Sequence, residues 1–190
     1  LSLGNSTDYN MYIGKNNSGG SGTDNTGFGY NALKDKTSGN SRWNTAIGSL
    51  AMGEKSGTGN SNVAIGYKSL WYDENGNNNT ALGVHSISGV TNGNDNVAVG
   101  RKSGQGINTG NYNTFLGTQD GTNYETSNRE YATVLGYNAK STANNQIMMG
   151  TSSEHVVIPG IANSTDTNSG ALQVAGGVGI KDDLHVGGDM

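Results

Sequence analysis

The chain has 190 residues, of which only 32% are hydrophobic and 14% are charged, with a net charge of −4 and no cysteine. Glycine supplies 32 residues and asparagine 27. Since an ordinary globular domain is about 45–50% apolar and about 25% charged, this composition argues against a conventional layered enzyme core. It also excludes disulfides, a membrane-spanning run of roughly 18 apolar residues, and the basic footprint of a nucleic-acid-binding protein.

A short motif of the form Asn-Thr-Ala-Ile-Gly recurs along the chain and is the main signal in the sequence. The central spacing between copies is 17 residues, and Leu3-Gly4 resembles the tail of one further copy. A recurrence of this kind is typical of repeat architectures, in which each repeat is one supersecondary unit. The nine copies end at the structural-repeat glycines Gly14, Gly29, Gly48, Gly66, Gly83, Gly100, Gly117, Gly136 and Gly150.

Each copy predicts a short strand with two different faces. Thr45 and Ile47 point to one face, whereas Ala46 and Gly48 point to the other. Asn opens seven of the nine copies and Gly closes all nine, which suits corners: Gly adopts positive φ freely, and Asn tolerates it while bonding its own backbone. A second short strand is expected after each Gly, because its third residue is usually Ala or Ser.

The repeat length predicts the architecture. A period of 14–19 residues is too short for a helix pair and fits one coil of a parallel β-solenoid. Ordering the backbone of one coil costs about 17–34 kcal/mol, whereas its few apolar side chains return roughly 1.5–3 kcal/mol each. Coils must therefore stack, and we expect about nine of them over residues 1–154. The Ala/Gly face remains as a small apolar surface, so we also expect a homotrimer.

The C-terminal part of the chain, residues 155–190, departs from the repeat. A polar stretch over 163–169 is followed by a Gly-rich segment in which apolar residues pair two apart. The pairs 172/174, 178/180 and 184/186 predict three short strands, so the fold class is an all-β parallel solenoid followed by a short β segment.

The repeat resembles the head repeats of trimeric autotransporter adhesins over Tyr9 to about Ser153. That resemblance implies a left-handed parallel β-roll in which three rolls pack into a trimer, although the coil here is longer than is usual in that family. The segment Gly170–Gly188 is similar to one found in tail-fibre and virion proteins of phages and large algal viruses. It implies location in a virion fibre, with other fibre or baseplate proteins as partners.

No combination of residues predicts catalysis. His85, His155 and His185 lie far apart, and the adjacent carboxylates Asp73-Glu74 and Asp182-Asp183 would point apart on a strand. No nucleophile elbow, complete dinucleotide fingerprint or phosphate loop occurs. We therefore expect no enzyme activity, no metal and no cofactor.

Aromatic residues in or beside the variable turns are the candidate receptor contacts, since binding is often carried by loops on a rigid scaffold. The alternative is that they cover coil ends or seams between chains. The longest insertions are Lys34–Arg42, Trp71–Asn78 and Asp120–Glu130. The candidate residues are Trp43, Tyr67, Trp71, Tyr72 and Tyr124.

These observations predict a structural and adhesive part of a viral fibre, which contacts a glycan or protein on the host surface without inserting into the membrane. The first alternative is the head of a bacterial trimeric surface adhesin. The second is a glycan-degrading fibre. A third, ice binding, would need an unbroken threonine column, which Val63 and Val97 interrupt.

Overall fold

A computed structural model of the chain describes residues 2–3, 11–13, 24–34, 41–53, 57–72, 75–89, 92–119 and 128–158, and within the C-terminal part residues 172, 174–175 and 177–184. The chain divides into two compact units, Leu1–Glu154 and His155–Met190.

The first unit is built from a single sheet of ten short strands, which lie in the sheet in chain order. Strands β2 to β10 pair in parallel, and each comes from one copy of the motif. The strands are β1 (Ser2–Leu3), β2 (Met11–Ile13), β3 (Thr26–Phe28), β4 (Thr45–Ile47), β5 (Val63–Ile65), β6 (Thr80–Leu82), β7 (Val97–Val99), β8 (Thr114–Leu116), β9 (Thr133–Leu135) and β10 (Ile147–Met149). The prediction of a further copy at Leu3-Gly4 was wrong, because β1 pairs antiparallel with β2.

The described residues form an all-β parallel solenoid of about six turns and contain no helix. The columns of the motif are the columns of the sheet: Thr45 pairs with Val63, Ala46 with Ala64 and Ile47 with Ile65. The repeat therefore predicted the strand register correctly, since a one-residue slip would have exchanged the two faces of every strand.

The orientation of the strands is the reverse of the predicted one. The alanine column, Ala46, Ala64, Ala81 and Ala98, is fully buried, whereas Ile47 and Val99 in the bulky column are 39% and 40% exposed. The opposite wall of the coil explains this, because it contributes large buried side chains such as Met52, Leu70 and Ile87. A thin coil has room for one large inward side chain per layer, so the facing strand position must be small.

The opposite wall is a ladder of turns and contains no second strand among the described residues. Every second residue has positive φ, as at Leu50 (59°) and Met52 (49°). The amide N of Leu50 donates to Tyr30 O of the preceding coil (2.8 Å), and that of Met52 donates to Ser69 O of the following coil (3.0 Å). The prediction of a second strand was therefore wrong, because these turns satisfy the backbone between coils without an extended conformation.

The asparagines that open the strands form a buried ladder. Asn79 N donates to Asn62 Oδ1 (2.8 Å), Asn79 Nδ2 donates to Gly93 O (2.7 Å), and Asn96 N donates to Asn79 Oδ1 (3.0 Å). None of the described members has positive φ; the residue before each one does, as at Asn78 (57°). The positive φ expected at these asparagines was wrong, and their side chains link successive coils. The fully buried members are Asn25, Asn44, Asn62, Asn79, Asn96 and Asn113.

The glycines that close the strands stack on one another. Gly66 has a φ of 133°, and a Cβ built on it would lie 2.6 Å from Gly83 O on the next coil. Both the backbone conformation and the close approach therefore require glycine. The column glycines from Gly29 to Gly117 approach the next coil in this way, while Gly14 lies outside the described residues.

The described residues of the second unit contain no strand, and Leu172, Val178, Ile180 and Leu184 are exposed. The predicted strand over 178–180 was wrong, because alternating apolar residues form a strand only when a sheet partner covers them. The predicted strands over 172–174 and 184–186 lie partly outside the described residues.

Candidate receptor-binding surface

Three of the five predicted receptor-contact residues come together in the structure. Tyr67 follows the column glycine Gly66, and Trp71 and Tyr72 lie at the end of the same turn wall. Trp43, 59% exposed, lies one residue before buried Asn44 and makes no ring contact with a described residue. Tyr124 lies outside the described residues.

Lys68 organises this aromatic group. Its Nζ lies 3.5 Å from the centroid of the Trp71 ring and 5.5 Å from that of Tyr67. Trp71 packs on Tyr72 with ring centroids 4.2 Å apart, and Tyr67 meets His85 edge to face at 5.5 Å. We call Tyr67, Lys68, Trp71, Tyr72 and His85 the Lys68 cluster. Sequence reasoning missed Lys68 and His85, although the 17-residue period places them at the same position of successive coils.

The charge in this region is positive and stacked along the coils. Lys68, His85 and Lys102 each stand two residues after a column glycine. The amide N of His85 donates to Tyr67 O and that of Lys102 donates to Val84 O, both at 2.9 Å, which sets the three residues in register. We call Lys68, His85 and Lys102 the basic column. Burial, then Lys68 and then Lys102 lower the pKa of His85 below its usual value of 6.5.

The faces of aromatic rings stabilise the positive charge of Lys68. Lys68 forms no ion pair with a described residue, and the Trp71 ring stabilises its ammonium by a cation–π contact. Trp71 Nε1 is buried and has no hydrogen-bond acceptor within the described part of the chain. The cluster thus combines flat rings with a cation that no described carboxylate neutralises, an arrangement suited to binding.

A second surface runs along the outer face of the sheet. The third residue of each strand from β3 to β10 is large, apolar and exposed or half-exposed, and these residues pair in register from coil to coil. Tyr112 and Tyr131 each stand two residues before a strand, and their stacked rings lie 5.0 Å apart and 9° from parallel. We call the following set the apolar column: Phe28, Ile47, Ile65, Leu82, Val99, Leu116, Leu135 and Met149.

Other classes of site receive no support in the described regions of the molecule. No group of three or more His, Asp or Glu side chains there could hold a metal ion. Nor do the described residues include a helix of the length and apolarity needed to cross a membrane.

The fold places the first unit in the class of parallel β-solenoid repeat proteins. Comparison with protein-family models, with curated proteins and with solved structures returned no match to the chain. The apolar column and the Lys68 cluster are therefore the features of the molecule that bear on its function.

Proposed function

We propose that this chain is a structural and adhesive segment of a viral fibre that acts as a homotrimer and contacts the host cell surface without catalysis. The observation that carries this proposal is the apolar column. A stripe of large apolar side chains over successive coils is unusual on the surface of a monomer and marks an interaction site.

The geometry of that stripe supports assembly into a trimer. Each coil adds one outward apolar residue at the same position, as Ile65, Leu82 and Val99 do, so the stripe runs parallel to the axis of stacking. Identical stripes on three chains can meet along a common axis and exclude water from all three. This interface uses the bulky face of the strands in place of the Ala/Gly face expected from the sequence. In this proposal the roll is left-handed and has nine coils.

Mechanical stiffness supports the role of a shaft or head. Backbone hydrogen bonds join every pair of neighbouring coils, and the buried asparagine ladder adds side-chain bonds such as Asn96 Nδ2 to Asn79 Oδ1 at 3.0 Å. A rigid trimer would present three copies of the Lys68 cluster, so weak single contacts would combine into firm attachment.

Two measurements test this function. Light scattering should give the mass of a trimer for the purified chain, and the trimer should bind a panel of immobilised cell-surface glycans or proteins. Incubation with the same glycans should leave their chain length unchanged. Shortened glycan chains would replace this proposal with the glycan-degrading fibre, and a stable monomer would remove its structural basis.

The repeat pattern also favours the head of a bacterial trimeric adhesin, which would use the same apolar column for assembly. Any sequence found to follow Met190 would separate the two proposals. A coiled-coil stalk and membrane anchor would favour the bacterial adhesin, whereas a chaperone domain would favour the viral fibre.

A further inference from the structure

We propose that the basic column and the rings beside it bind an acidic polysaccharide, whose carboxylates lie along Lys68, His85 and Lys102. This inference deepens the receptor contact of the proposed function and rests on it. It names the chemical class of the receptor, which neither the sequence nor the fold class supplies.

The first support is charge complementarity. The whole chain carries a net charge of −4, yet the charged groups that act on His85 are both cations, Lys68 and Lys102. Exposed Arg101 lies beside Lys102 and forms no ion pair with a described residue. A local cationic surface on an acidic protein selects an anionic ligand through short-range contacts, because long-range attraction is absent.

The second support is the spacing of the column. Successive coils stand about 4.8 Å apart, so Lys68 and Lys102 are separated by roughly 10 Å along the stacking axis. A linear polymer with regularly repeated carboxylates can meet both lysines at once. The three cations Lys68, Arg101 and Lys102 over this length fall short of the extended basic footprint of a nucleic-acid-binding protein.

The third support is the presence of rings at the edge of the column. Tyr67 touches His85, and Trp71 fixes the Lys68 ammonium at 3.5 Å from its centroid. Aromatic faces pack against the C–H face of a sugar ring, while their polar edges can bond its hydroxyl groups. A simple polyanion would use the lysines alone, whereas an acidic sugar would use the lysines and the rings.

The experiment measures binding of the full chain to polygalacturonate at low salt, with the fully methyl-esterified polymer as the uncharged control and a DNA duplex as the polyanion without sugar acids. We expect binding to polygalacturonate that weakens with added salt. The methyl ester and the duplex should bind at least tenfold more weakly. Equal binding of the ester would overturn the role of charge, and equal binding of the duplex would overturn the selection of an acidic sugar.

Variants locate the site. Lys68→Gln and Lys102→Gln should each lower the affinity about two- to fivefold, as expected for partly exposed charge pairs, and the double variant about tenfold. Lys68→Arg keeps the charge and should retain most of the affinity. Lys140→Gln, an exposed lysine outside the basic column, is the matched control. An equal loss in Lys140→Gln, or no loss in the double variant, would overturn the assignment of the site.

Two further readouts separate this inference from neighbouring explanations. Trp71→Ala should weaken polygalacturonate binding, whereas a purely ionic site would be insensitive to it. Asp73 and Glu74 lie outside the described residues. The double variant Asp73→Asn, Glu74→Gln should bind polygalacturonate at least as tightly as the native chain. Loss of binding in this variant would instead indicate that a metal ion bridges the protein and the polymer. A trimer that ignores polygalacturonate would refute this inference alone, whereas a monomer would refute the proposed function.

Discussion

Gly104 lies against the ring of Phe115 inside the solenoid: a Cβ placed on Gly104 would stand 3.3 Å from Phe115 Cδ2 and 3.3 Å from Ala98 Cβ. One coil earlier the sizes are exchanged, since the strand residue is Ala98 and the turn-wall residue is Ile87, both fully buried. The side-chain volume inside the solenoid therefore stays similar from coil to coil, because a large residue on one wall faces a small residue on the other.

This relationship predicts a large loss of stability when the ring is removed. Phe115→Ala should lower the free energy of unfolding by about 3–5 kcal/mol, because the facing glycine cannot fill the cavity. Denaturant unfolding of the variant and of Tyr137→Ala measures the difference. Tyr137 is 56% exposed, so its truncation should have a small effect. Similar losses in both variants would show that Phe115 does not fill the core.

The glycine column makes a second prediction. Gly66→Val and Gly83→Val should each prevent folding or lower the melting temperature sharply. Each added Cβ would clash with the backbone of the next coil, and both glycines have a positive φ that valine rarely adopts. Gly89→Ala is the matched control, since its Cβ would meet Gly106 N at 3.6 Å, an ordinary contact. Thermal unfolding followed by circular dichroism measures both effects. An unchanged transition in Gly66→Val would remove the packing role of the column.

The buried asparagine ladder makes a third prediction. Asn79→Ala removes the acceptor of Asn96 N and the donor to Gly93 O, both buried, and should lower the free energy of unfolding by about 2–4 kcal/mol.

Asn77→Ala is the control for this ladder. Asn77 Oδ1 accepts from Asn60 N at 2.9 Å in a parallel ladder that is only partly buried, so water can replace the lost bonds. Its loss should be about 1 kcal/mol or less. Equal losses in chemical denaturation would mean that burial does not distinguish the two ladders.

The sequence predicted the coil but not its orientation. The nine motif copies located the parallel strands and their register, because Asn and Gly at fixed spacing mark the ends of each strand. The pattern could not show which face is inside, since alternation is symmetric until the opposite wall is known. Large residues stand six positions after three of the four alanines, namely Met52 after Ala46, Leu70 after Ala64 and Ile87 after Ala81, and they carried that signal.

The candidate site was predicted in part. Tyr67, Trp71 and Tyr72 were selected as aromatic residues near turns, and three-dimensional structure brought them together. Lys68 and His85 were missed because contacts between coils depend on side-chain direction in turns with positive φ, which composition and spacing do not determine.

The pKa of His85 predicts a pH effect on stability. Because burial, Lys68 and Lys102 lower this pKa below 6.5, the unfolded chain takes up the proton first as the pH falls. The contribution of His85 is therefore fully present above pH 6.5 and is lost as the pH falls towards the folded-state value.

Urea unfolding at several pH values below and above 6.5 measures this effect. The free energy of unfolding should depend less on pH in His85→Gln than in the native chain. Nuclear magnetic resonance titration of the histidine ring protons gives the pKa directly, and the signal absent from His85→Gln identifies the residue. Lys68→Gln should raise the pKa of His85 towards its usual value. An unchanged titration in that variant would contradict the effect of the lysine.

The most direct test is the solution mass of the purified chain with and without a charge in the apolar column. Light scattering should give three times 19.6 kDa, about 59 kDa, for the native chain. Ile65→Asp should give a folded chain of lower mass, because a carboxylate in the centre of a dry interface is strongly unfavourable. A native chain that remains a stable 19.6 kDa monomer at high concentration would contradict assembly through the apolar column.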